Sequence, residues 1–99
     1  MTTRIESIHF TADQKLIDFI QKKLDKLDQY HDRIIDAHVI LKLENTGQVK
    51  DKVVEVKLDI PGDLIVASES SKTFEAAVDE VSAILKRLLI RHKERVRSH

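Results

Sequence analysis

Between Lys72 and Arg97 the apolar residues Phe74, Val78, Val81, Leu85 and Leu88 recur at steps of four, three, four and three, the spacing of one helical face. Ala77, Ile84 and Leu89 flank this stripe. A helix cannot hide such a face alone, so the rest of the chain must supply a surface for it, and a sheet serves best. Thr73 stands where an N-cap is needed, Glu75, Asp79 and Glu80 crowd the start, and Lys86, Arg87, Arg91, Lys93, Arg95 and Arg97 crowd the end. That order complements the helix dipole. At about 1.5 Å per residue the helix would be on the order of 40 Å long, so its last turns are expected to project. Arg87, Arg91 and Arg95 stack at i, i+4 and i+8. Each like-charge pair at that spacing costs an isolated helix roughly 0.2 to 0.5 kcal/mol, and folding alone gives no reason for it.

The covering surface is legible upstream. Ile35, Ala37, Val39, Leu41 and Leu43 alternate with mostly polar neighbours, as do Val54, Val56, Leu58 and Ile60 with Glu55, Lys57 and Asp59. This is the period of half-buried strands. Arg4 to Phe10, with Ile5, Ile8 and Phe10, reads as a first strand, and Leu64 to Ser68 as a fourth. Asn45-Thr46-Gly47 and Pro61-Gly62-Asp63 supply turns, and Ser70-Ser71 a loop into the long helix. Thr11-Ala12-Asp13-Gln14 fits a capping box with Thr11 as N-cap. The helix it opens carries Leu16, Ile17, Ile20, Leu24 and Leu27 on one face and runs to about Gln29. Lys15, Lys22 and Lys26, with Lys23 beside them, line one flank of that helix, and Asp18, Gln21, Asp25 and Asp28 line the other.

The expected class is therefore α+β, a two-layer sandwich in β-α-β-β-β-α order, as one domain over residues 1–99. A right-handed crossover would make strands one and two parallel neighbours, and the later turns would make strands two to four an antiparallel meander. Both helices would cover one face of this four-stranded mixed sheet. Asp36, His38, Lys42, Glu55, Lys57 and Asp59 would lie on the wet face.

Composition narrows the function classes. A chain that is 41% hydrophobic and 34% charged suits a soluble globular protein. No apolar run reaches membrane-spanning length, and no basic segment followed by an apolar one opens the chain, so no membrane partner and a cytoplasmic location are expected. Absence of cysteine removes disulfides, thiolate nucleophiles and zinc-thiolate sites. His9, His31, His38, His92 and His99 lack metal-ligand spacing, Ser68, Ser70 and Ser71 lie outside any nucleophile elbow, and Gly47 and Gly62 sit singly in turns. Neither an enzyme, a metal nor a cofactor is expected, and no small-molecule substrate.

Net charge is zero, but its distribution is not uniform. From Ser82 to His99 six basic residues face Glu94 alone, while Asp51 to Glu69 carries five acids against Lys52 and Lys57. A neutral chain with a positive end can bind polyanions through that end. The aromatics, Phe10, Phe19, Tyr30 and Phe74, avoid the middle strands. Base stacking on the sheet is thus disfavoured, and structured RNA read through its phosphates is favoured.

Four stretches also carry a family likeness: Phe19 to Ile34 (FIQKKLDKLDQYHDRI), Val39 to Glu44 (VILKLE), Ala67-Ser68-Glu69, and Ala76 to Asp79 (AAVD) followed by Arg87 to Lys93 (RLLIRHK). Over nearly its full length the chain resembles the short ribosome hibernation-promoting factors, or ribosome-associated inhibitors. That family's element order agrees with the one above and is similar to a double-stranded-RNA-binding domain with an added first strand. The resemblance implies binding to the small ribosomal subunit and its rRNA, in the channel for messenger and transfer RNA, and silencing of translation in starved or stationary-phase bacteria. It implies RNA contacts at Lys23, Lys26, Arg87, Arg91, His92 and Lys93. The helical wheel adds Lys15, Lys22, Lys86 and Arg95. Thr73, Ile84 and Leu88 depart from the family pattern, which often has Asp, Lys and Gln there. Because the chain stops at His99, it is expected to be the short form, without the C-terminal domain by which long forms pair ribosomes. A free monomer is expected. The second reading is a protein-interaction or dimerisation module that uses Ile84, Leu88 and Leu89 on the projecting helix.

Overall fold

In the computed structural model the described residues are 1–44 and 51–97. The chain forms β1 (Thr2–Ile8), α1 (Gln14–Asp25) with a 3-10 turn at Lys26–Gln29, β2 (Asp36–Leu43), β3 (Lys52–Ile60), β4 (Asp63–Ser71) and α2 (Phe74–Arg97). The sheet order is β1-β2-β3-β4. β1 pairs parallel with β2, and the other pairs are antiparallel. The α+β class, the element order and the mixed sheet are those expected. The turn assigned to Asn45-Thr46-Gly47 lies outside the described residues.

Alternation sorts the strands' side chains into two faces. Ala37, Val39 and Leu41 of β2, Val54, Val56, Leu58 and Ile60 of β3, and Ile65 and Ala67 of β4 are buried beneath the helices. They meet Leu16, Ile20, Leu24 and Leu27 from the first helical segment, and Ala77, Val78, Val81, Leu85 and Leu89 from α2. Burying a side chain of this size removes it from water at a gain of roughly 1.5 to 3 kcal/mol, so these rows hold the layers together. Pro61-Gly62 closes the β3–β4 hairpin, with Gly62 at φ +79, a left-handed conformation that side chains disfavour. Space does not require glycine there, since an added Cβ would meet nothing within 4 Å.

Local expectations differ from the structure in five places. β1 begins two residues earlier and ends at Ile8, because His9 takes φ 65 and turns the chain out of the ladder. The first helix is capped by Asp13, whose carboxylate accepts from the Leu16 amide at 2.9 Å, so the Thr11 box is two residues early. Ile35 precedes the ladder and is 53% exposed, with Ile34 taking the buried place, and Leu43 at the last β2–β3 rung is 48% exposed. β4 runs on through Ser70 and Ser71, which were expected in a loop. The C-terminal half of α2 lies beside the start of β4, and Arg95 lines a groove there with Asp63 to Val66.

The cap of α2 is as expected, with Thr73 Oγ1 accepting from the Ala76 amide at 3.1 Å. Its stripe is rotated slightly from the expected one. Leu89 is fully buried, whereas Phe74, Ile84 and Leu88 are half-buried and pack on the core. The apolar residues assigned to a partner in the second reading are thus used by the chain's own core.

Candidate nucleic-acid interface

Four contacts run in order along the seam between the helices. Phe10 stacks on Phe74 with ring centroids 5.1 Å apart, Lys23 Nζ lies 2.8 Å from Asp79 Oδ1, Lys86 Nζ sits 4.8 Å over the Tyr30 ring, and His31 meets His92. Both members of each successive pair advance along the chain, so the two helices run in the same direction. On the far flank of α1 the Gln21 amide donates to Thr3 Oγ1 of β1 at 3.1 Å. The basic flank of α1 therefore faces α2 and the acidic flank faces the β1 edge.

This frame places each candidate side chain. Lys15 and Lys22 are exposed on α1, and Lys26 is exposed at the start of the 3-10 turn. Lys23 is held at the seam, against Asp79 and 5.6 Å over the Phe19 ring. Lys86 is exposed on the Tyr30 ring, on the same side of α2, and the half-buried Lys93 follows seven residues on. Arg87 is exposed near the crest of α2. Arg91 and Arg95 lie on the opposite flank, where they line an open groove of about 320 Å³ with Asp63, Leu64, Ile65, Val66 and Leu88. The lysine edge of α1 and the arginine stack of α2 do not meet as one surface. Instead they occupy the two sides of α2, because Asp79 and Lys86, not the arginines, fall on the flank that meets α1.

Among the described residues Lys15, Lys22, Lys26, Arg87 and Arg91 make no ion pair. The opposite face of the sheet is different in kind. There the cross-strand row of Arg4, His38 and Lys57 lies between a row with Asp36 and Asp59 and a row with Glu6 and Glu55. His38 Nε2 is 3.1 Å from Glu6, and Lys57 Nζ is 3.8 Å from Glu55. Alternating rows of opposite sign cancel at a distance, whereas on the helix layer the acids of α1 are gathered on the flank toward β1, away from Lys15, Lys22 and Lys26. Among the described residues no phenylalanine or tyrosine lies on that sheet face, since Phe10, Phe19, Tyr30 and Phe74 all pack about the helices. No group of three or more His, Asp or Glu side chains gathers for a metal ion among the described residues, nor is any described helix long and apolar enough to cross a membrane.

His92, a candidate from the resemblance, is hydrogen-bonded to His31 and lies near Asp63. The Arg33 amide donates to His31 Nδ1 at 3.1 Å, His31 Nε2 lies 3.3 Å from His92 Nδ1, and His92 Nε2 lies 3.9 Å from Asp63 Oδ2. His31 itself is buried. Its pKa is lowered from 6.5 by burial first, then by the neighbouring His92. Sequence reasoning singled out neither His31 nor Asp63, and nothing in their spacing from His92 announces the contact.

Residues 3–97 match the family model described as Sigma 54 modulation protein / S30EA ribosomal protein. The chain belongs to this family. A ribosome hibernation promoting factor of Pseudomonas putida is 34% identical over 98 residues, 99% of this chain and 92% of that one. Among solved structures, the N-terminal domain of Protein Y from Thermus thermophilus superposes with a TM-score of 0.81 at 27% identity, over 93% of this chain and 99% of that one. A ribosomal subunit interface protein from Coxiella burnetii shares the fold with a TM-score of 0.85 at 23% identity, over 95% and 99% of the two chains. For a member of the Sigma 54 modulation and S30EA family, the cations unpaired on the helix layer are the natural place to seek a binding surface.

Proposed function

We propose that this chain is a ribosome hibernation factor that binds the small ribosomal subunit through rRNA phosphates, occupies the messenger and transfer RNA channel, and so inactivates ribosomes in stressed or stationary-phase cells. The observation that carries this reading is the contrast between the two faces among the described residues: Lys15, Lys22, Lys26, Arg87 and Arg91 without an ion pair on the helix layer, sign-alternating rows on the sheet. Phosphate contacts of this type supply affinity and register without reading sequence. Lys22, Lys26 and Lys86 form one phosphate-binding strip, and Arg87, Arg91 and Arg95 form another. Lys15, Lys23, His92 and Lys93 stand at their margins. With a phosphate strip on each side of α2, the crest of that helix would enter the RNA. The protein acts by occupancy, without chemistry.

Cosedimentation with separated small and large subunits tests this directly. Binding to the small subunit, lost as salt rises and competed by messenger and transfer RNA, is the expected result. Equal binding to both subunits, or binding that salt does not weaken, would contradict it.

A further inference from the structure

The chain from the Arg33 amide through His31 and His92 to Asp63 joins the loop before β2, the C-terminal half of α2 and the start of β4. The donor inventory fixes its polarity. Because the Arg33 amide donates to His31 Nδ1, that nitrogen carries no proton in the neutral ring, and the ring proton resides on Nε2. Nε2–H then donates to His92 Nδ1, which leaves His92 with its own proton on Nε2, directed toward Asp63. The two rings are tilted by 43° with centroids 5.3 Å apart, which suits an edge-on hydrogen bond better than a stack.

We propose that His31 is a positioning residue that holds His92 in the Nε2–H form and makes the attachment of the basic end of α2 to the β2 loop sensitive to pH. Only the consequence for RNA rests on the function proposed above. Protonating His31 places a proton on Nδ1, where it opposes the Arg33 amide, so that bond is lost and the loop is released from one end of the chain. The groups that face the pair are Asp32 and Arg33 from the loop, Lys93 from α2 and Asp63 from β4. Asp32 favours the charged ring, while Lys93, Arg33 and the burial of the site oppose it. Lowering of the His31 pKa from 6.5 agrees with a ring kept neutral by its place in the fold.

The experiment has two arms. In the first, without RNA, nitrogen-15 NMR of the full chain from pH 8 to pH 5 follows both rings and the Arg33 amide. A protected His31 Nε2–H coupled to His92 Nδ1, with the Arg33 amide shifting as His31 titrates below pH 6.5, is the expected result. A proton on His31 Nδ1 at neutral pH, or a His31 titration above 6.5, would overturn the assignment. In the second arm, small-subunit affinity is measured against pH at fixed salt for the parent and His31→Phe, which keeps a flat ring. His31→Phe should weaken binding at pH 7.5 by about three- to tenfold, the value of one hydrogen bond, without changing the salt slope. The gap should narrow toward pH 5.5. A gap that is the same at every pH means that His31 only packs, and overturns the pH coupling. If neither protein binds the small subunit, the function proposed above fails, while the first arm still decides the tautomer.

Discussion

Lys23 Nζ on α1 lies 2.8 Å from Asp79 Oδ1 on α2, so one of the lysines expected at the RNA surface is already neutralised within the protein. Asp79→Asn should therefore free a cation at the seam and tighten small-subunit binding at low salt. Lys23→Gln should weaken it less than Lys22→Gln or Lys26→Gln does. Both ends of the pair are substantially exposed, so either change should alter stability by no more than about 1 kcal/mol. Binding isotherms at two salt concentrations check the order. A loss from Lys23→Gln as large as from its neighbours would mean that Asp79 yields Lys23 to the RNA.

The His31 site predicts a slope in stability against pH. Its folded pKa lies below the unfolded value of 6.5, so the unfolded chain binds the proton first. Stability from this group is complete above 6.5 and is lost as pH falls from 6.5 through the depressed folded value. The Asp51 carboxyl, held below 3.8 by its hydrogen bond from Lys52, acts in a separate and more acid window. Urea midpoints between pH 8 and pH 5 should fall on acidification in the parent, and fall less in His31→Phe.

Asp13, not Thr11, caps α1. Asp13→Ala should cost about 0.5 to 2 kcal/mol, as removal of a helix N-cap does. Thr11→Ala, at an exposed loop position, should stay within about 0.5 kcal/mol. Chemical denaturation of the two variants distinguishes the caps.

Leu89 is fully buried. Leu89→Ala should cost about 2 to 5 kcal/mol by leaving a cavity. Leu88→Ala should cost less, since Leu88 lies at the margin of the groove beside β4. Were these leucines reserved for another protein, both changes would leave stability nearly untouched, and thermal melts decide this.

Where one face of an element is buried, the sequence was sufficient. The alternation of Val54, Val56, Leu58 and Ile60 and the helical steps of Val78, Val81 and Leu85 each admit a single register, and the structure adopts it. Ends of elements were less legible, because they depend on single backbone angles such as φ 65 at His9 and on which of two adjacent polar residues reaches an amide, Thr11 or Asp13. The candidate cations could be named from a wheel, but their grouping could not. Which flank of α2 meets α1 is decided by how two helices settle on one sheet, and only then do Lys86 and Arg91 fall on opposite sides. The His31 to His92 contact spans 61 residues and leaves no periodic trace.

The central claim is that the helix layer, not the sheet, meets rRNA. It is tested most directly by the slope of log affinity for the small subunit against log salt in three double variants: Arg87→Gln with Arg91→Gln, Lys22→Gln with Lys26→Gln, and Lys42→Gln with Lys57→Gln on the sheet face. All three remove the same formal charge. The account predicts weaker binding and a slope reduced by about one per lost phosphate contact for the two helix pairs, with the sheet pair unchanged. Equal reductions in all three, or a loss confined to the sheet pair, would contradict it.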